Sequence, residues 1–537
     1  MSKMMGGHAL VRSLENEGIR HVFGVPGAGQ YEAIDGFYGR DHIRYISCRS
    51  EQPTTYMCDG YGRVGDQMAA AIVLPGEGLF NASTGMATAF KNSSPMVVIS
   101  GPQDTKIPGS SGAGAAGEDE WRTPIDWVCK WKRKIRGAAE IPQVVHEAVD
   151  AARSGQPRPA FIEITTPTLA AVEEIELLAP SGAAAAGATA ASDGGPPAGV
   201  EAVARALADA QRPLILAGTG VVRSGASDAL TRLAERLGAA VLTTNASKGV
   251  ISARHPLAVG VPHMRYQPVA DFIAQADVVL FVGTTSGNAA LGAAEGRTVL
   301  RIDIEQERLD EHPPEIGICA DAGAALDGLV EALGPGEPRN DLTAEIATLA
   351  KGSTSAEEQL QPQKSFTEAM RRVLPDDAIF VHDMTQLGYY SRYYYPVYAP
   401  GGYQIPKGNL GASFPIAIGA KVAQPDRPAV AVTGDGGFLY HCQELATMTL
   451  HDIAVVTVVF TDNAYGNVMR SQQEDFDDHV MGVQLTNPDF AALAESFGVH
   501  GARATDAAGL EAELSKALAS DKPAVIEVPV GPMERRY

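Results

Sequence analysis

The sequence predicts an α/β protein of three doubly wound parallel-sheet domains, and three observations carry that expectation. Its 537 residues, at roughly 100–200 residues per domain, suffice for about three domains that each bury their own core. Short runs that are apolar on consecutive residues alternate along the chain with amphipathic stretches. Such runs suit strands covered on both faces, as in parallel sheets flanked by helices. Two breaks in composition then divide the chain into blocks.

The first block, residues 1–178, carries apolar runs at 21–25, 69–74, 96–100 and 161–164. Residues 179–199 follow, rich in Ala, Gly, Ser and Pro with Asp193 as their one charge, which is linker composition. The second block, 200–335, has runs at 214–217, 278–282 and 299–302. A weaker linker, 336–362, runs from the Gly-Pro-Gly-Glu-Pro stretch at 334–338 to Gln361-Pro362-Gln363. The third block, 363–537, has runs at 429–433, 454–460 and 524–528. Ligands of such folds sit beyond the carboxyl ends of the strands, so chemistry is to be sought just after each run.

Composition narrows the classes of function. A net charge of −21 argues against nucleic acid or an anionic membrane as a partner, because phosphates would be repelled. The one basic stretch, 130–136, reads as a solvated helix or strand end. Five scattered cysteines without a C-x-x-C pair read as buried thiols in a reducing compartment. Without an apolar leader core or a run of about 18 apolar residues, a cytoplasmic, soluble protein is expected, and the length rules out a peptide or a lone binding module.

The run 429–433 ends in Gly434-Asp435-Gly436-Gly437-Phe438, and a helical pattern (Leu439, Leu445, Met448) follows at once. Three glycines leave backbone N–H groups uncovered at a helix start, an anion-binding arrangement, and Asp435 offers an oxygen where a phosphate would lie. Asn463, within Thr461-Asp462-Asn463-Ala464-Tyr465-Gly466, comes 28 residues after Asp435 and just past the next run. Adjacent parallel strands would set the two side by side. An acidic oxygen, an amide oxygen and a loop carbonyl suit a hard cation such as Mg2+, with diphosphate oxygens and water completing its shell. Read singly, Gly-Asp-Gly is also a turn and Asn463 also a cap.

Together the two pieces resemble the G-D-G … N-N signature of the thiamine diphosphate enzymes. The 25 residues between Gly436 and Asp462 fall within its spacing, and Asp462 stands for the first Asn. The resemblance implies thiamine diphosphate and Mg2+ as cofactors, Asp435, Asn463 and the carbonyl of Tyr465 as metal ligands, and Gly434, Gly436, Gly437 and Gly466 around the diphosphate. It also implies a pyrimidine-binding first domain and a diphosphate-binding third domain. Arg49-Ser50-Glu51-Gln52-Pro53-Thr54-Thr55-Tyr56-Met57-Cys58-Asp59-Gly60-Tyr61-Gly62-Arg63 resembles the family's R-H-E-Q-x-A-x-x-M-A-D-G-Y-A-R segment. On that match Glu51 is the catalytic carboxyl beside N1′ that shifts the aminopyrimidine to its imino form, which then removes the C2 proton to give the ylide. Alone, Glu51 would read as a helix-start carboxylate.

Further segments agree. Gly24-Val25-Pro26-Gly27-Ala28-Gly29 looks like the family's G-x-P-G loop, which implies cofactor contacts for Pro26 and Gly27 and substrate contacts for Ala28 and Gly29. The segment 76–85, Gly76-Glu77-Gly78-Leu79-Phe80-Asn81-Ala82-Ser83-Thr84-Gly85, looks like its G-P-G-x-x-N-x-x-T-G, with Glu77 a candidate substrate contact together with Trp121. Gly408-Asn409-Leu410-Gly411-Ala412-Ser413-Phe414-Pro415 resembles the segment that grips the pyrimidine. There the Gly408 carbonyl would accept from the 4′-amino group, the Leu410 N–H would meet N3′, and the Leu410 side chain would wedge the cofactor into a bent shape. A core leucine is the other reading. Asp383-Met384-Thr385-Gln386 takes the place of the second phosphate loop, with Thr385 and Gln386 as donors or as plain turn residues. His441 reads as a packed residue.

The central block has a weak glycine motif, Leu216-Ala217-Gly218-Thr219-Gly220-Val221-Val222, which does not complete G-x-G-x-x-G and reads as structural. Acetolactate synthases hold FAD in this block, but their arginine-bearing segment is here Val282-Gly283-Thr284-Thr285-Ser286, so no flavin is expected. The resemblance is closest to the acetolactate synthase, benzoylformate decarboxylase and benzaldehyde lyase group. It implies a decarboxylase or carboligase that acts on a small 2-oxo acid or aldehyde through a C2 ylide and an enamine. The alternatives are a lyase for 2-hydroxyacyl-coenzyme A or acyloins, with an acyl-coenzyme A substrate, and a cofactor-binding scaffold without turnover. A homodimer or homotetramer with active sites at subunit interfaces is implied as well. The paired histidines of pyruvate decarboxylases have no match, and the acetolactate synthase markers are replaced around Asp119-Glu120-Trp121 and Ser471-Gln472.

Overall fold

A computed structural model describes residues 1–65, 67–101, 125–180, 196–292, 296–338, 340–351, 359–531 and 533–534. Three six-stranded sheets organise them, and every strand pairing within these sheets is parallel. Each apolar run of the sequence lies in a strand whose residues are almost all buried, because helices cover both faces.

The first sheet runs Arg44–Ser47, His21–Gly24, Ala69–Ile72, Met96–Ser100, Pro159–Glu163, Trp131–Lys134. The third runs Tyr403–Gln404, Ile379–His382, Ala429–Gly434, Val455–Thr461, Ala524–Pro529, His500–Arg503. Numbered by chain order within each sheet, both read 2-1-3-4-6-5. The middle sheet, Ala258–Gly260, Ala240–Thr243, Pro213–Ala217, Val278–Val282, Thr298–Asp303, Ile316–Cys319, reads 3-2-1-4-5-6. In the outer two the order reverses between the first and third strands, so the crevice for a ligand opens beyond Gly24 and Ile72 in one and beyond His382 and Gly434 in the other.

Strands also form outside the apolar runs. Ser2–Met5 pairs antiparallel with Val172–Ile175 in a separate ribbon, too polar and exposed to show as an apolar run. The basic stretch forms the edge strand Trp131–Lys134, with Lys132 and Arg133 exposed and Lys134 paired to Glu163 at 3.1 Å. Charge on an edge discourages pairing with another chain.

The first and third sheets share one apolar core. Its centre is the packing of helix Glu51–Arg63 on helix Ser413–Ala423, where Tyr56, Met57 and Cys58 meet Phe414, Ile416 and Ala417. Glycine makes this approach possible: a Cβ on Gly60 would stand 2.0 Å from the Ile416 carbonyl oxygen. The middle sheet has its own core and docks through the half-buried Arg223, which donates to the Gly62 carbonyl and, at 2.9 Å, to Ser94 Oγ. No described helix is long and apolar enough to cross a membrane.

Candidate functional site

At the carboxyl edge of the first sheet, three adjacent strands each end in a segment singled out in the sequence. The loop bearing Pro26, Gly27, Ala28 and Gly29 follows His21–Gly24, helix Glu51–Arg63 follows Arg44–Ser47, and Gly76 to Asn81 follow Ala69–Ile72. Glu51 opens its helix and is only 9% exposed. Its Oε2 accepts from Asn81 Nδ2 at 3.2 Å. A Cβ on Gly78 would lie 2.9 Å from Glu51 Oε1, so glycine makes room for the carboxyl. The Gly27 position fits tightly against Leu74, and Gly29 has φ +90°, open to glycine. Glu77 is exposed at the start of helix Glu77–Asn92. Trp121 lies outside the described residues.

The carboxyl edge of the third sheet gathers the second group. Asp435 follows strand Ala429–Gly434 and is 2% exposed. Its Oδ1 accepts the Gly436 N–H at 2.8 Å, and its Oδ2 accepts the Asn463 N–H and the Asn487 amide, each at 2.8 Å. Burial pushes this carboxyl above its ordinary pKa. Asn463 has φ +57°, and its Oδ1 accepts from Asn487 Nδ2 at 3.0 Å. Asn487 Oδ1 is buried without a hydrogen-bond partner. The Tyr465 carbonyl is the first acceptor of helix Gly466–Asp475, engaged by the N–H groups of Val468 and Met469 at 2.9 and 3.0 Å; ligation through it would draw on a helix cap.

The glycines of this edge fit because they lack side chains. A Cβ on Gly436 would stand 2.6 Å from the Tyr465 ring, and one on Gly437 would stand 3.0 Å from both Asp383 Oδ2 and Thr433 Oγ1. A Cβ on Gly466 would meet Asp462 Oδ2 at 2.6 Å, whereas Gly434 has room. The helix expected straight after Gly434 is broken into Asp435–Phe438, a 3-10 turn Cys442–Glu444 and helix Leu445–His451. Glycines within the first piece weaken it.

Thr385 caps helix Gln386–Tyr394, accepting the Gly388 N–H at 2.9 Å, and Gln386 is buried beside it. Gly408 has φ +94°. Leu410 is half-buried and belongs to none of the apolar cores. His441 is buried against Tyr56, ring centroids 5.5 Å apart, and burial holds its pKa down to about 4.

Four partners of these groups were not legible beforehand. Asp383 ties its own loop to the loop before helix Ser413–Ala423 and to the end of strand Ala429–Gly434: its Oδ2 accepts the Gly411 N–H at 2.6 Å and the hydroxyls of Ser413 and Thr433 at 3.4 Å, and its Oδ1 accepts the Met384 N–H at 2.8 Å. Burial raises its pKa to about 6. Asn81, Asn487 and Glu444 are the others, each an ordinary polar residue until its neighbour is known.

A cavity of about 430 Å³ lies elsewhere, at the reversal point of the middle sheet, lined by Thr219, Gly220, Gly283 and Asp303 and reaching Met384 and Lys407. The glycines of the weak motif serve close packing here: a Cβ on Gly218 would stand 2.2 Å from the Gly283 carbonyl oxygen.

Comparison with known proteins agrees with this arrangement. Models of thiamine pyrophosphate enzyme domains match three stretches, the N-terminal TPP binding domain over residues 4–118, the central domain over 200–329 and the C-terminal TPP binding domain over 383–528. A probable acetolactate synthase large subunit of Methanocaldococcus jannaschii is 30% identical over 99% of this chain and 93% of its own length. A probable 2-ketoarginine decarboxylase of Pseudomonas aeruginosa is 31% identical over 98% of this chain and 94% of its own. The acetolactate synthase large subunit of Lactococcus lactis is 28% identical over 98% and 93%.

Proposed function

The chain belongs to the thiamine pyrophosphate enzyme family, and on that premise we propose that it uses thiamine diphosphate with Mg2+ to break or form the C–C bond beside the carbonyl of a small 2-oxo acid. Relatives named as acetolactate synthases and as a 2-ketoarginine decarboxylase support a carboligase or a decarboxylase. The observation that carries the reading is the oxygen cluster at the third sheet's crevice. There the Asp435 carboxylate and Asn463 Oδ1, bridged by the Asn487 amide N–H, stand with the Tyr465 carbonyl beside glycines that admit no side chain. This donor set suits a hard cation shared with phosphate oxygens.

Bound thiamine diphosphate supplies an electron sink for the pair released when the bond beside the carbonyl breaks. The protein's part is placement and proton control. Asp435 and Asn463 would hold the metal, with the Tyr465 carbonyl as third ligand, and Gly434, Gly436, Gly437, Gly466, Thr385 and Gln386 would receive the diphosphate. Pro26, Gly27, Gly408 and Leu410 would hold the ring half, and Glu51, fixed by Asn81 and kept from water, would hold the proton shared with the pyrimidine nitrogen. Ala28, Gly29, Glu77 and Trp121 are proposed on the substrate side.

We place the domains at 1–178, 200–335 and 363–537, and assign the active sites to the seam of a homodimer or homotetramer. Apolar side chains left exposed around the diphosphate loop support that assembly: Leu439 at 38%, Tyr440 at 51%, Val468 at 52%, Phe476 at 61% and Met481 at 74%. The test incubates protein, thiamine diphosphate and Mg2+ with a panel of 2-oxo acids and aldehydes, with products read by NMR and mass by sedimentation. Cofactor-dependent consumption of a 2-oxo acid is expected; turnover without the cofactor, or none with any member, overturns the reading.

A further inference from the structure

Helix Glu51–Arg63 lacks a cap of its own, since the Ser50 side chain makes no hydrogen bond to its first turn. A helix start leaves N–H groups that need acceptors. The two residues that lead into it find their acceptor at the other end of the chain. Glu444, fully buried, takes the Arg49 N–H on Oε1 at 3.1 Å and on Oε2 at 3.3 Å and also faces the Ser50 N–H, while Thr447 Oγ1 donates to its Oε2 at 2.6 Å.

Neighbouring contacts extend the grip. His451 Nε2 accepts the Ser47 N–H at 3.0 Å, Thr447 Oγ1 reaches the Ser47 carbonyl at 3.4 Å, and Arg44 donates to the His451 carbonyl at 3.0 Å. Residues 47–50, which launch Glu51, are thus held by one turn and one helix of the third sheet's block. That turn begins seven residues after Asp435. A buried carboxyl is costly unless its acceptor oxygens are used, and here they are spent on the approach to Glu51.

We propose that Glu444 is a positioning residue for Glu51: by gripping the backbone of Arg49 and Ser50 from the other domain, it makes the placement of the activating acid depend on the segment that carries the metal and diphosphate ligands. This rests on the reading of Glu51 given above.

The test has two arms. In cofactor-free protein, hydrogen exchange over residues 47–52 is compared among wild type, Glu444→Ala and Glu444→Gln. The Ala variant exchanges at least about fivefold faster, as the loss of a buried hydrogen-bond acceptor for the Arg49 and Ser50 N–H groups implies, and the Gln variant, which keeps an acceptor oxygen, stays near wild type. In loaded enzyme, Glu444→Ala lowers kcat and the rate of C2-proton exchange of bound cofactor about 10- to 100-fold, with cofactor Kd and substrate KM within about twofold, and Gln restores most of both. Unchanged exchange over 47–52 in the Ala variant, faster exchange without loss of kcat, or no rescue by Gln overturns the proposal. If Glu444→Ala does not fold, Glu444→Asp, with a shorter arm, is read the same way and should fall between. Full turnover of Glu51→Gln would refute the active-site reading instead, leaving the cofactor-free arm to report the grip on residues 49 and 50 alone.

Discussion

Asp383 Oδ2 and the Gly411 N–H are joined by a 2.6 Å hydrogen bond that ties the loop after the third sheet's first strand to the loop before helix Ser413–Ala423. The same oxygen closes on Thr433, the residue before Gly434. One buried carboxylate thus sets the spacing of the loops proposed to hold ring and diphosphate. Asp383→Asn would aim an amide donor at one or more of these donors. It should lose about 1–3 kcal/mol of stability and weaken thiamine diphosphate binding, checked by urea unfolding and by the thermal shift that added cofactor produces.

Gly60 and Gly419 let two helices touch backbone to backbone, since a Cβ on Gly419 would stand 1.9 Å from the Met57 carbonyl oxygen. Backbone cannot swing aside as a side chain can. Gly60→Ala or Gly419→Ala should destabilise by about 1–3 kcal/mol or more, read as a lower urea midpoint with unchanged slope.

Asn487 bridges Asp435 and Asn463. Asn487→Ala removes both bonds while leaving the proposed metal ligands in place. Mg2+ affinity, titrated through cofactor-dependent thermal stabilisation, should fall about tenfold, near 1.4 kcal/mol; unchanged affinity would remove Asn487 from the site.

His441 is buried, both ring nitrogens lack partners, and its pKa is held down to about 4. An unfolded histidine titrates near 6.5, so between about pH 6.5 and 4 the unfolded chain binds a proton that the folded chain refuses. Stability attributable to His441 therefore falls as pH drops through that window, by about 1.4 kcal/mol per pH unit. His21 and His382, lowered to about 4 and 3, act in the same direction. Asp383 and Glu444, raised to about 6 and 7, act oppositely, because their folded forms keep a proton that the unfolded chain has released. His441→Leu should subtract its share, and urea midpoints measured from pH 6.5 to 4 for both proteins give the difference.

The sequence made legible what short-range pattern encodes. Parallel strands announce themselves as apolar runs, and Asp435 and Asn463 stand in fixed relation to strand ends, so spacing alone set them side by side. The flanking residues of Glu51 placed it at a helix start, where the structure has it. The supporting contacts were not, because their meaning lies in partners far along the chain: Asp383 with Gly411 is 28 residues apart, Asp435 with Asn487 is 52, and Arg49 with Glu444 is 395. An aspartate after a strand or an asparagine before a proline is ordinary turn chemistry until folding supplies its neighbour. The edge strand Trp131–Lys134 escaped because charge on an edge looks like a solvated face.

The central claim is that Glu51 switches on a thiamine diphosphate held across the crevices of the first and third sheets. The most direct measurement is turnover of a 2-oxo acid by Glu51→Gln, followed by NMR beside the thermal shift produced by thiamine diphosphate and Mg2+. The account predicts a wild-type shift with turnover reduced at least about 100-fold; a Glu51→Gln enzyme as active as wild type would contradict it.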